Sequence, residues 1–364
     1  MPDPVVDSTR DSEMAQHFAV FATASLPRAP LYGALSAGIS HDPDLYRLLL
    51  HAPLTQRLPV LLFACVHDLL LDDPRQELAR WYPNLTSSPR PPADPSLMPT
   101  FERFIESHTD PLRTLLATRT TQTNEVGRCA IFLPAFGLLA DEVGPLGHLD
   151  VGASGGLNLL ADHYEYHYES QDGVVSIVGG PSTVVLHTAT TGALPVPATM
   201  PVIGDRCGVD QRPIDVCDDE EAHWLEACVW PDQPDRFHRL VAAIEVARRS
   251  PPEILAGDAT TSLAAAIERV GSTAHPVVTN SWVLNYLTSQ ARVAYLAELE
   301  RIGAQRDLSW VYAEAPALIP ELPTGPDTAD AHRTVLSMVR WRNGERRIDH
   351  LATCHPHGFW IHWR

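Results

Sequence analysis

The 364-residue sequence has no apolar run of about 18 residues, the length a membrane-spanning helix needs, so no such helix is predicted. It is short of cations: 27 Lys and Arg stand against 45 Asp and Glu, for a formal net charge of −18. Nucleic-acid backbones and anionic lipid surfaces are held by clustered cations, so neither nucleic acid nor membrane is an expected partner. The six cysteines (Cys65, Cys129, Cys207, Cys217, Cys228 and Cys354) include no C-x-x-C pair. That argues against a zinc knuckle and for reduced thiols. Met1-Pro2-Asp3-Pro4 offers neither a basic nor an apolar leader region, which makes the cytoplasm the expected location. The G-x-G-x-x-G fingerprint of NAD(P)-dependent oxidoreductases is missing too, which weighs against that class. No apolar seam stands out, and the oligomeric state stays open.

Apolar residues make up 45% of the chain, enough to bury a full core. Residues 1–12 read as loose. Residues 14–71 are helical in pattern, with a helix start at Asp42-Pro43-Asp44 and a buried helix over 58–71 ended by Asp72-Asp73-Pro74. A proline-rich loop over 83–99 precedes another helix at 101–118. Residues 1–120 are therefore expected to form an N-terminal helical cap, and 121–364 one Rossmann-like domain. At the boundary, Gln122-Thr-Asn-Glu-Val-Gly-Arg128 precedes an apolar helix. One reading caps that helix with Thr123 or Asn124, Glu125 complementing its dipole; the other turns Asn124, Glu125 and Arg128 toward a cavity.

The rest is organised around Asp150-Val-Gly-Ala-Ser-Gly-Gly156, an acid at a strand end followed by a turn of small residues and a predicted helix from Gly156 with free amides at its start. Residues 164–203 read as a β-hairpin insertion whose stripe Tyr164, Tyr166 and Tyr168 either lines a pocket or packs a sheet face. Strands and helices then alternate to residue 316, and Asp150, Asp210, Asp258, Asn280 and Glu314 fall at or near strand ends. A β-meander closes the chain. Its Asn343-Gly344 turn is predicted at the far edge and its His355-Pro356-His357 turn at the ligand edge, where either histidine is a candidate general base or hydrogen-bond partner. No third or fourth ligand stands at a recognisable spacing from this pair, so no metal is expected. The fold class is α/β: a Rossmann-like, doubly wound, mostly parallel sheet with antiparallel C-terminal strands, a helical cap and a hairpin insertion.

The 150–156 turn resembles the acid-x-Gly-x-Gly-x-Gly turn of class I S-adenosylmethionine (SAM)-dependent methyltransferases, with Ser154 departing from the middle glycine. Asp210 stands where that family places its ribose-binding acid, and Gly257-Asp258-Ala259 where it places the acid contacting the adenine amino group. Asn280-Ser281-Trp282 occupies the position after strand four that often faces the methyl group. The whole chain resembles the bacterial family DUF2332, through Gln122–Arg128, Gly152–Leu159, Asp210–Val216, Gly257-Asp258 and His355-Pro-His-Gly358. The resemblance implies SAM as cofactor and in-line methyl transfer to a small-molecule substrate closed over by cap and hairpin. The implied cofactor-binding residues are Asn124, Arg128, Asp150, Gly152, Ser154, Gly156, Asp210, Asp258 and Asn280. The implied catalytic residues are Glu125, Asn280, Trp282, His355 and His357, with Trp282 and Tyr286 facing the sulfonium charge. Two alternatives stay open: transfer or cyclisation of the aminocarboxypropyl part of SAM, releasing methylthioadenosine, and a module that binds SAM without chemistry.

Overall fold

The computed structural model describes residues 8–318 and 334–364. They divide into a helical unit (8–123 with Asp218–Val241) and a sheet unit (Asn124–Cys217 with 242–318 and 334–364).

The helical unit contains α1 (Ser8–Ser25), α2 (Pro30–Ile39), α3 (Pro43–Tyr46), α4 (Pro59–Asp72), α5 (Leu97–Ser107) and α6 (Thr109–Thr118). After α7 (Cys129–Val143) of the sheet unit, it gains α8 (Asp219–Ala227). Residues 8–12, expected to be loose, are already helical, and the Arg47 guanidinium anchors the α1 start by donating to Asp11. The expectation for residues 1–7 lies outside the described residues. Asp42 caps α3 as predicted, accepting from the Asp44 amide at 2.9 Å. The helix expected over 101–118 begins earlier, at Leu97, and breaks at His108, whose ring stacks on Phe104 and whose Nδ1 donates to the Phe104 carbonyl. The expected 121–364 domain includes α8. Instead Trp224 and Ala227 fill the same core as Phe63, Trp81, Tyr82 and Phe101, and the Trp224 indole donates to the Thr120 carbonyl at 2.9 Å.

The sheet unit carries β1 (Leu146–Val151), β2 (Glu165–Ser170), β3 (Val175–Val178), β4 (Val185–Thr191), β5 (Ile203–Asp210), β6 (Ile254–Ala256), β7 (His275–Ser281), β8 (Leu308–Glu314), β9 (Thr334–Arg342), β10 (Glu345–Cys354) and β11 (Trp360–Trp363). They form one sheet in the order β3-β2-β4-β11-β10-β9-β8-β7-β1-β5-β6. From β6 to β8 every pairing is parallel, and in chain order those five strands run 3-2-1-4-5, the doubly wound arrangement. The strand order reverses between β1 and β7, and the crevice beyond the carboxyl ends there is where such sheets take ligands. Leu149, Val151, Val278, Trp310 and Tyr312 pack on one face with Leu263 and Ile267 of α10 (Leu263–Val270) and with Tyr295 and Leu299 of α11 (Ser289–Gly303). α9 (Pro234–Arg249) continues across the sequence boundary between the two units.

β8 to β11 form the expected antiparallel meander. The 164–203 stretch departs from a simple hairpin insertion. β2 and β3 do form a hairpin, but β4 pairs in parallel with both β2 and β11, so the three strands prolong the main sheet. Five strands stand between β4 and β1, so the sheet order offers no support for this stretch as a flap over the β1 turn. The tyrosine stripe packs a face: Tyr164, Tyr166 and Tyr168 are buried, and their hydroxyls donate to the carbonyls of Leu157, Ala161 and Ala130 at 2.6–2.8 Å.

Candidate functional site

The turn after β1 is held from three sides. Gly152, Ser154 and Gly156 take left-handed φ values of +79°, +53° and +70°. At Ser154 that conformation costs about 1 kcal/mol relative to glycine. The amides of Gly152 and Ala153 donate to the Val209 carbonyl, that of Ser154 to Asp210 Oδ2 at 2.8 Å, and that of Gly156 to the Ala153 carbonyl. Two expectations change here. The helix predicted from Gly156 is a short 3-10 segment, Leu157–His163, and its first amide donates to the Asn124 side chain at 3.1 Å rather than being free. Asn124 thus ties the start of the 124–128 stretch to the turn. Neither it nor Thr123 caps α7; Glu125 does the capping, of the 3-10 turn Val126–Arg128, by accepting from the Gly127 amide at 3.0 Å.

Asp210 spends one acceptor site on each oxygen, Oδ2 for the Ser154 amide and Oδ1 for the Arg212 amide at 2.8 Å. A carboxylate has about four such sites, so about two remain. Asp258 accepts the Thr260 and Thr261 amides on Oδ1 alone, leaving Oδ2 without a hydrogen-bond donor among the described residues. The Gly257 amide donates to the Asp210 carbonyl at 2.8 Å, so the two acids stand at neighbouring strand ends.

Arg128 is buried and links the meander to β7. It donates through Nε to the Pro356 carbonyl at 3.0 Å and through Nη1 to the carbonyl and hydroxyl of Ser281. The His355–His357 turn therefore lies at the C-terminal edge as predicted. The Asn343 amide bonds Asp307, just ahead of β8, which puts the other turn at the opposite edge. The His355 ring stacks on Phe359, and its Nδ1 accepts the His357 amide at 3.0 Å. When neutral, His355 therefore carries its proton on Nε2, the tautomer of a donor rather than of a base at that atom.

Side chains alternate across a sheet, so this edge has two faces. On the α7 face, His148 Nε2 bonds the Thr279 hydroxyl at 2.8 Å, and Thr279 lies 2.9 Å from Asp150 Oδ1. Burial pushes Asp150 up to about 7, against the Thr279 hydrogen bond and the Arg128 charge, and burial drives His148 down to about 3. On the α11 face, Asn280 donates to Glu314 Oε1 at 2.7 Å and accepts from the Trp310 indole at 2.6 Å and the Tyr295 hydroxyl at 3.4 Å. Asn280 is completely buried and Glu125 nearly so, so the structure brings neither of these proposed catalytic groups to an open edge. Trp282, with φ +56°, donates its indole N–H to Thr334 at 2.9 Å, and Tyr286 is exposed. Glu314 received no role from the sequence. Its Oε1 accepts Asn280 and the amides of Val283 and Leu284, while Oε2 has no partner among the described residues. Burial pushes it to about 7 as well, opposed by those hydrogen bonds and by Arg128. Its place at the end of β8 was the available signal.

An acid raised in the folded state binds its proton more tightly there than in the unfolded chain, so its contribution to stability falls as pH rises from its ordinary value to the raised one. Glu314→Gln keeps an acceptor for the three donors and mimics the protonated acid. It is expected to match the wild type near pH 5 and to exceed it near pH 8 by on the order of 2 kcal/mol. Urea melts at both pH values measure this; an equal difference at both would contradict it.

This is an α/β protein whose doubly wound core gathers acids and one buried arginine along its carboxyl edge. The chain belongs to the DUF2332 family: the family model, described as an uncharacterized protein conserved in bacteria, matches residues 15–363. No curated protein and no solved structure matches it. Among the described residues no helix is long and apolar enough to cross a membrane.

Proposed function

We propose that the sheet unit binds SAM at the β1–β5–β6 edge and acts as a SAM-dependent methyltransferase on a small molecule. The observation that supports this most is the pair Asp210 and Asp258. Asp210 sits at the carboxyl end of β5 beside the β1 turn, Asp258 just past β6, the next strand; Gly257 joins them, and both keep acceptor capacity after serving the backbone. Asp210 would take ribose hydroxyls and Asp258 the adenine amino group. SAM supplies a sulfonium methyl group with a neutral leaving group, so this chain's task is positioning and the exclusion of water. The His355 Nε2–H is a candidate to orient a substrate oxygen at the same edge. Arg128 positions the 355–358 turn against β7.

Incubation with SAM, followed by mass spectrometry, is expected to yield S-adenosylhomocysteine. Asp210→Ala and Asp258→Ala are each expected to weaken SAM binding at least about tenfold, a loss of about 1.4 kcal/mol. Methylthioadenosine as product would instead mark aminocarboxypropyl chemistry. Absence of both binding and turnover ends the proposal. A second reading, SAM binding without chemistry, draws support from Asn280, whose hydrogen bonds are made inside the protein; its signature is SAM bound and never consumed.

A further inference from the structure

A cluster in the helical unit takes no part in the proposed SAM site. Asp68 and Asp72 stand one turn apart on α4, and His223 faces them from α8. His223 Nε2 lies 3.6 Å from Asp68 Oδ1 and 3.5 Å from Asp72 Oδ1, and one ligand atom from each residue falls within 4.8 Å of the other two. Two atoms bound about 2.1 Å from a tetrahedral zinc stand about 3.4 Å apart, so the two measured edges already have a metal's spacing. A second observation is independent of this spacing. The Asp68 side chain is only 11% exposed, yet no donor among the described residues reaches its carboxylate within hydrogen-bond distance; the His223 ring stands 3.6 Å away. Buried carboxylates are normally met by several donors or by a metal. The Asp72 side chain is 67% exposed, which leaves one side of the cluster open to water.

We propose that Asp68, Asp72 and His223 form a divalent-cation site of the zinc class, with water in the fourth position. In the metal-free chain His223 Nε2–H donates to the Asp68 carbonyl at 3.1 Å. Binding requires the neutral ring with its proton on Nδ1, so that the Nε2 lone pair faces the metal and any proton held by Asp68 or by an imidazolium is released. The metal would clip α8 to α4 across 150 residues of chain, and closure of so long a loop favours the folded state.

The test uses the full-length protein freed of metal by chelation, titrated with Zn²⁺ and, for spectroscopy, with Co²⁺. One equivalent is expected to bind, to raise the melting temperature and to give the intense visible bands of tetrahedral Co²⁺. His223→Ala and the exposed Asp72→Asn are each expected to weaken binding at least tenfold. Asp68→Asn is expected to abolish the metal-dependent rise while leaving the metal-free melting temperature equal or higher, because it removes a largely buried charge. Equal binding by wild type and His223→Ala would assign the metal to another histidine and overturn the proposal. So would the absence of any metal-dependent shift.

Discussion

Gly358→Ala is expected to lower stability by roughly 3–5 kcal/mol, and with it the melting temperature by on the order of 5–10 °C. Gly358 has φ +78°, and a Cβ there would lie 2.0 Å from the Gly127 carbonyl oxygen. Across the same contact, a Cβ on Gly127 would meet the His357 carbonyl oxygen at 2.3 Å. The opposing atoms are backbone on both sides, so no side chain can swing away. The 126–128 turn and the 355–358 turn must part, which breaks the Arg128 hydrogen bond to Pro356. Gly344→Ala separates strain from crowding. Gly344 has nearly the same φ, +80°, but its nearest neighbour for a Cβ is 3.8 Å away. It should cost only about 1 kcal/mol. Similar melting temperatures for the two variants would show that the interlock is not needed for stability.

The second large effect is expected at Arg128. Replacing it with Met keeps much of the side-chain volume but removes the positive charge that opposes the raised affinity of Asp150 and Glu314 for protons. It also strands the carbonyls of Pro356 and Ser281. Breaking a buried ionic arrangement by removing one partner costs roughly 3–5 kcal/mol. Near pH 8, where the two acids tend to ionise, the loss should be greatest. It should shrink on acidification toward pH 5, where both can hold a proton. The double variant Arg128→Met/Glu314→Gln should recover part of the loss, because one uncompensated charge is gone. Chemical denaturation of the four proteins of this cycle measures the coupling. Strict additivity would mean that Arg128 acts through its hydrogen bonds alone.

The doubly wound core was legible because its signals are local. Each strand is a short apolar run ending on a polar residue, each helix has its period, and Asn343-Gly344 and His355-Pro356-His357-Gly358 mark their turns. Asp210 and Asp258 could be placed at strand ends for the same reason. What escaped was decided by partners far away in sequence. Nothing near Asn280 tells that Trp310 and Tyr295 will consume its carbonyl oxygen, because that depends on which face of β7 meets α11. The sequence around Asn124 offers a helix cap or a cavity-facing group, and neither shows that the Leu157 amide, 33 residues on, takes its side-chain oxygen. The 157–163 segment keeps a helical pattern over seven residues, and pattern alone does not separate a 3-10 turn from an α-helix. Nothing local to Trp224 tells that its core lies with α4 and its neighbours.

That placement of Trp224 sets a timetable for synthesis. The N-terminal helices leave the ribosome with part of their apolar interior unfilled, because the segment that fills it is encoded about a hundred residues downstream. At roughly 5–20 residues per second, they wait on the order of 5–20 s for α8. During that interval β1 to β5 are made and are free to begin pairing. The nascent chain thus carries an apolar interior still unfilled while its sheet is unfinished, the state in which a chaperone has most to hold.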